Sequence, residues 1–176
     1  MNRAMTWVAR RGGGAGFTLV EILIVVMILG IAVAAAVPVV ENNIRSPKLR
    51  AAANVLAADI EFTASESIGH PNAPRAIVFD VTHNKYTVED FNAGTTIKNP
   101  GDGLDFVNDF VTGRNAQLSG VTITGITMGN GTLSTLTFDA YGKPLITADL
   151  VITLSYNGTA MTVTVKQTTG DTSISG

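Results

Sequence analysis

From Ile22 to Val37 every residue is apolar or glycine, and Val39 and Val40 carry the run past Pro38. Taken back to Phe17, a helix over this stretch measures about 36 Å at ~1.5 Å per residue, enough to cross a hydrocarbon core of about 30 Å. Arg3, Arg10 and Arg11 precede it and no acid does. Basic residues ahead of an apolar segment keep that end in the cytoplasm and send the remainder across the membrane. Residues 17–40 are thus expected to contact lipid in a single pass. A cleaved secretory signal is the second reading. Ala34, Ala35 and Ala36 imitate a signal-peptidase site, but the apolar run is longer than an ordinary signal core.

One residue resists the simple membrane reading. Glu21 stands four positions after Phe17, and an acid at the centre of an isolated spanning helix costs roughly 2.5–3.5 kcal/mol, less near the interface. Beyond the run the chain is sparing with charge. Only 15% of all residues are charged and there is no cysteine, so disulfides and thiolate metal sites are excluded. Setting aside the three leading arginines, nine basic side chains face fourteen acidic ones, a balance of −5. A domain of that sign has no general attraction for nucleic acid.

The stretch Gly16-Phe17-Thr18-Leu19-Val20-Glu21, followed by an apolar run containing Gly30 and Pro38, resembles the processing site of type IV pilins and type II secretion pseudopilins. The resemblance covers about the first quarter of the chain. It implies that residues 1–16 are a cytoplasmic leader and that a prepilin peptidase cuts between Gly16 and Phe17. The same enzyme would methylate the new amino terminus on Phe17. It further implies residence in a bacterial inner membrane, a periplasmic C-terminal domain, and partners among other pilins or pseudopilins and the inner-membrane assembly platform. Glu21 becomes the fifth residue of the mature chain and the assembly residue. The amine of one subunit can approach the carboxylate of its neighbour, and opposite charges ~4 Å apart attract by about 4 kcal/mol at an effective dielectric near 20. Pro38 removes one backbone donor and is expected either to kink or locally melt the helix or to mark the membrane exit.

A second helical pattern follows. Leu49, Ala53, Leu56, Ile60, Ala64 and Ile68 recur every three or four residues. Ser46 before Pro47 reads as an N-cap with proline at the first helical position, so the stem is expected to be interrupted or kinked around 42–47. Gly69-His70-Pro71 ends the helix. Strands are expected over 76–81 and 85–90, joined by Thr82-His83-Asn84, then within "VTITGITM", "GTLSTLTFD" and "DLVITLSYNGTAMTVTVKQ". Asn157-Gly158 is the strongest hairpin signal and Asp139-Ala140-Tyr141-Gly142 a further turn. Residues 92–117 lose the alternation and read as a long connection. The fold class is α+β of pilin type, a long N-terminal helix packed on antiparallel sheet. Its divisions are 1–16 leader, 17–44 membrane and assembly helix, and 45–176 globular domain.

"LTFDAYGKPL" and the final strand pair are similar to the closing pattern of the GspH/FimT group of minor pseudopilins and minor pilins, carried by Phe138, Asp139, Gly142, Thr169 and Gly170. Members commonly follow that last glycine with arginine, and some are thought to bind DNA through basic residues there. This chain has Asp171 instead, with only Lys166 nearby, which argues against nucleic acid as a partner. No catalytic constellation is visible. His70 and His83, the only histidines, fall in expected loops. Asp102, Asp105 and Asp109 share a loop but lack the spacing of a calcium-binding EF-hand and read as solvated acids. Asn130-Gly131-Thr132 and Asn157-Gly158-Thr159 match glycosylation sequons, though Asn-Gly is more simply turn chemistry. The sequence therefore points to a non-enzymatic filament subunit without cofactor or metal. A DNA-handling minor pilin and a membrane-tethered enzyme or binding module are the alternatives.

Overall fold

The computed structural model describes residues 17–176, with the side chains of 33–46, 113 and 114 outside the described set. The leader, Gly16 included, and the side chain of Pro38 thus lie outside the described residues. The chain forms two units, Met1–Glu41 and Asn42–Gly176. Helix α1, Leu19–Gly69, supplies the described helical part of both.

In the second unit α1 buries Leu49, Ala52, Ala53, Leu56, Ala57 and Ile60, which follows from apolar residues recurring every three to four positions. Two expectations fail along this helix. It does not restart at Ser46-Pro47, because helical backbone runs through 42–47. A proline inside a helix forfeits one hydrogen bond to the carbonyl four residues back, and the buried stripe beginning at Leu49 continues beyond it. At the other end Ile68 is 57% exposed, while Thr63 and Ser67 take the buried positions. At about 100° per residue, 63 and 67 stay in line with Leu56 and Ile60 whereas 68 rotates off. Their hydroxyls are tolerated because both are bonded. Thr63 Oγ1 donates to the Asp59 carbonyl at 2.6 Å, and Ser67 Oγ accepts the Arg75 N–H at 2.8 Å.

The strands are β1 Arg75–Asp80, β2 Lys85–Asp90, β3 Thr95–Thr96, β4 Val107–Asn108, β5 Thr122–Met128, β6 Gly131–Thr132, β7 Thr135–Thr137, β8 Leu150–Tyr156, β9 Thr159–Val165 and β10 Thr172–Ser175. They make two antiparallel sheets. One has the order β3-β2-β1-β7, with β4 also on β2; the other has the order β10-β9-β8-β5-β6. The β8–β9 hairpin pairs Tyr156 with Thr159 across Asn157-Gly158. Both loop residues have positive φ, 47° and 80°, the requirement that makes Asn-Gly the preferred pair for such a turn. The expected single strand in "GTLSTLTFD" is divided between the sheets. Leu133 N–H still bonds to Ile126 of β5, and the next carbonyl, Ser134, accepts from Phe79 of β1. The expected connection over 92–117 is partly structured, since β3 and β4 both attach to β2 and a short 3-10 helix covers Gly113–Leu118.

The core lies between the helix and the two sheets. Tyr86 packs against Phe79 and Phe110, each with ring centroids 5.9 Å away. Its hydroxyl donates to Asp59 Oδ2 at 2.5 Å and accepts from Asn108 Nδ2 at 2.7 Å. That polar cluster joins the helix to β2 and β4.

Candidate functional site

Phe17 and Thr18 precede the first helical residue, Leu19. The first intrahelical bond runs from the Ile22 N–H to the Thr18 carbonyl, 3.2 Å. Thr18 is therefore the N-cap, and its Oγ1 accepts the Glu21 N–H at 3.2 Å. A helix start leaves its first N–H groups without partners, and a threonine hydroxyl on the third satisfies one of them. Thr-x-x-Glu is the capping-box spacing. That signal is legible in the sequence, in Thr18 followed three residues later by Glu21. Glu21 also lies where the positive end of the helix dipole favours an anion.

Behind this cap every side chain from Phe17 to Ala32 is exposed. Leu19, Ile22, Leu23 and Val26 share one face and, with Phe17 and Thr18, line a shallow apolar depression. A Cβ at Gly30 would meet nothing within 4 Å, so nothing within the chain requires glycine there. Such a surface is unsuited to water. Among the described residues no helix is long and apolar enough to cross a membrane. The apolar sequence continues over 33–40, whose side chains are outside the described set.

The closing motif of the C-terminal half gathers into a clasp. Phe138 is fully buried. Asp139 Oδ1 accepts the N–H groups of Tyr141 at 2.8 Å and Lys143 at 2.9 Å, closing a tight turn. Gly142, at φ 75°, presses on the last turns of α1; a Cβ there would lie 2.9 Å from Ile68 Cδ1 and 3.2 Å from the Ala64 carbonyl oxygen. Gly170, at φ 79°, faces Pro144, and a Cβ there would lie 3.1 Å from Pro144 Cδ. Thr169 Oγ1 donates to Asp171 Oδ2 at 2.7 Å, so the acid that replaces the expected basic residue serves its own turn. Lys166 is held by Asp149 at 2.7 Å, and that bond is the main reason the Asp149 carboxyl titrates below its usual range.

The remaining candidates are separate from one another. His70 Nδ1 lies 2.9 Å from the Glu66 carbonyl and 3.3 Å from its carboxylate. His83 Nδ1 contacts Asp80 at 2.6 Å, and the His83 N–H is the largest influence lowering the Asp80 pKa. Asp102, Asp105 and Asp109 line one 140 Å³ pocket, yet each is engaged. Asp102 accepts the Leu104 N–H and has a further partner, and Asp105 pairs with Lys98 at 2.7 Å. Asp109 bonds the Thr112 hydroxyl and the Thr112 and Val111 N–H groups, which together hold its pKa down. Among the described residues no cluster of three His, Cys, Asp or Glu side chains is arranged to hold a metal ion.

A capped apolar helix with one acid in its first turn, leading into a domain of two antiparallel sheets packed on a helix, defines a pilin-like architecture. Residues 13–37 match the family model of the prokaryotic N-terminal methylation motif. The fold is similar to that of the type IV minor pilin FimU of Pseudomonas aeruginosa, at TM-score 0.53 and 15% identity, covering 74% of this chain and 90% of that one. It is equally similar to the minor pseudopilin EpsH from the Type 2 Secretion System of Vibrio cholerae, at TM-score 0.53 and 13% identity, over 73% and 97% of the two chains. No curated protein sequence matches the chain. The N-terminal methylation motif of prokaryotic pilins and the α+β fold of minor pilins and pseudopilins thus occur together in this chain.

Proposed function

We propose that the protein is a structural subunit, a minor pseudopilin of a type II secretion pseudopilus. A prepilin peptidase removes residues 1–16 and methylates Phe17. Residues 17–44 anchor the subunit in the inner membrane and then assemble it, and residues 45–176 form its periplasmic domain. The observation that carries this is the helix start itself: an exposed carboxylate in the first turn of an exposed apolar helix, within residues 13–37 that match the N-terminal methylation motif. Alone in lipid that carboxylate is a cost; opposite a neighbour's new amine it becomes a contact. The work of the subunit is then assembly with other pilin-like chains and the inner-membrane platform, without catalysis or cofactor. Nucleic acid is disfavoured by the acidic balance and by Asp171 and Lys166 being spent on local partners.

The second reading, a minor type IV pilin acting in pilus assembly or DNA uptake, has the likeness to FimU in its favour. Crosslinking in cells from exposed Pro47 or Arg50, with neighbours identified by mass spectrometry, separates the two. Capture of secretion pseudopilins is expected; capture of pilus pilins moves the protein to the second reading. Glu21→Val should leave insertion and cleavage intact and sharply reduce incorporation into filaments. Normal incorporation of that variant removes the charge-pairing role.

A further inference from the structure

We propose that the exposed Lys143 side chain of one copy of the chain enters the acidic pocket beside β4 of a second copy. The two docking surfaces lie on opposite edges of the first sheet, so the contact joins globular units side by side and can repeat from copy to copy. It concerns the globular unit alone and does not depend on cleavage before Phe17 or on Glu21.

The pocket offers an unmet acceptor and an unpaired charge. Asn115 lines it and is only 9% exposed, and its side chain has no hydrogen-bond partner among the described residues. A buried amide in that state is costly, and its oxygen can accept from an ammonium. Asp109 lines the same pocket. Its Oδ1 accepts the Val111 and Thr112 N–H groups and its Oδ2 the Thr112 hydroxyl, all neutral donors. An ionised carboxylate has about four acceptor positions, so Oδ2 keeps room for a cation. At 140 Å³ the pocket is smaller than the roughly 300–1,000 Å³ of small-molecule sites and suits a single side chain. Leu104 and Val107 give it an exposed apolar rim.

Lys143 supplies the complement. Its N–H is fixed by Asp139 at 2.9 Å, while its ammonium has no partner among the described residues. Exposed Leu145 and Tyr141 flank it, the latter at 88% exposure. The turn that carries them is closed by Asp139 and pressed on α1 through Gly142, so binding needs little further ordering of backbone. β4 pairs with β2, β1 separates β2 from β7, and the Leu145 N–H bonds to the Thr137 carbonyl of β7. Pocket and lysine thus stand three strand spacings apart, about 14 Å, with the sheet between them, and one chain cannot close the contact on itself. Two different patches that meet between identical chains make a head-to-tail interface.

The test is disulfide crosslinking in the membranes of cells that make two differently tagged full-length copies, one with Leu104→Cys and the other with Leu145→Cys. The chain has no other cysteine, so each handle is unique. A crosslinked pair of unlike copies is expected, well above either like-with-like pair. Lys143→Gln in the Leu145→Cys copy should lower its yield about fivefold, the upper end for a partly exposed ion pair, and Lys143→Arg should retain it. Asp109→Asn in the Leu104→Cys copy keeps an oxygen for the N–H groups of its own turn and should cause a similar loss. Combined with Lys143→Gln it should add little further loss. Absence of the unlike pair, a yield indifferent to Lys143→Gln, or like-with-like pairs in equal amount overturns the proposal. Crosslinking of Leu104→Cys to a different protein in place of the second copy also overturns it, because the pocket would then have another occupant.

Discussion

Gly142→Ala tests the clasp that ties the closing turn to the helix. The first cost is conformational: at φ 75° a residue with a Cβ is less stable than glycine by roughly 1–2 kcal/mol. The second cost is contact. The new methyl would lie 2.9 Å from Ile68 Cδ1 and 3.2 Å from the Ala64 carbonyl oxygen. Ile68 is the end of a flexible, largely exposed side chain and can turn away, whereas the carbonyl belongs to the helix and cannot. Only a modest part of the usual ~1–3 kcal/mol for overpacking therefore applies. Together the two terms make about 2–3 kcal/mol. For a globular unit of this size each kcal/mol shifts Tm by about 4 °C, so a fall of ~8–12 °C is expected. Thermal unfolding of the purified full-length chain in detergent, followed by circular dichroism, measures it. In Ile68→Ala/Gly142→Ala the contact with Ile68 is relieved, while the contact with the Ala64 carbonyl and the conformational part remain. A Tm within ~2 °C of the parent, or complete recovery in the double variant, would refute the reasoning.

Tyr86→Phe removes the hydroxyl that bonds both Asp59 and Asn108 inside the core. A loss of about 1–3 kcal/mol is expected, larger than for a surface Tyr→Phe such as Tyr141→Phe, with chemical denaturation as the assay. Acid should also weaken the fold. Asp80, Asp90, Asp109 and Asp149 all have folded-state pKa values below the ordinary 3.8. Their contribution is therefore complete above the unfolded value and is lost as pH falls through the folded ones. Melting temperature should be level from pH 7 to 5 and drop below pH 4; a Tm that rises below pH 4 contradicts the assignment.

Periodic segments of this chain announce themselves because their burial is local. Leu49, Ala53, Leu56 and Ile60 recur at helical spacing, and Asn157-Gly158 supplies the two positive-φ residues that its hairpin needs. The helix through Ser46-Pro47 was not legible, since Ser-Pro carries the same local signal whether it begins a helix or lies inside one. Ser67 instead of Ile68 in the core depends on the Arg75 N–H arriving to bond its hydroxyl, a partner that local pattern does not reveal. The division of "GTLSTLTFD" between two sheets is likewise tertiary, set by Ile126 and Phe79 claiming successive backbone groups. At the helix start Glu21 was legible from its charge in an apolar run. Thr18 needed the capping spacing as well. Gly142 and Gly170 came from resemblance, and their physical reason appears only once Ala64, Ile68 and Pro144 are seen against them.

The most direct measurement is the intact mass and N-terminal sequence of the protein recovered from the membranes of cells that carry a prepilin peptidase. A mature chain that begins at Phe17 and is one methyl group heavier than its sequence is the expected result. A full-length chain, or one cut within or just after Ala34–Ala36, would contradict processing for assembly and return the N-terminus to an uncleaved anchor or an ordinary secretory signal.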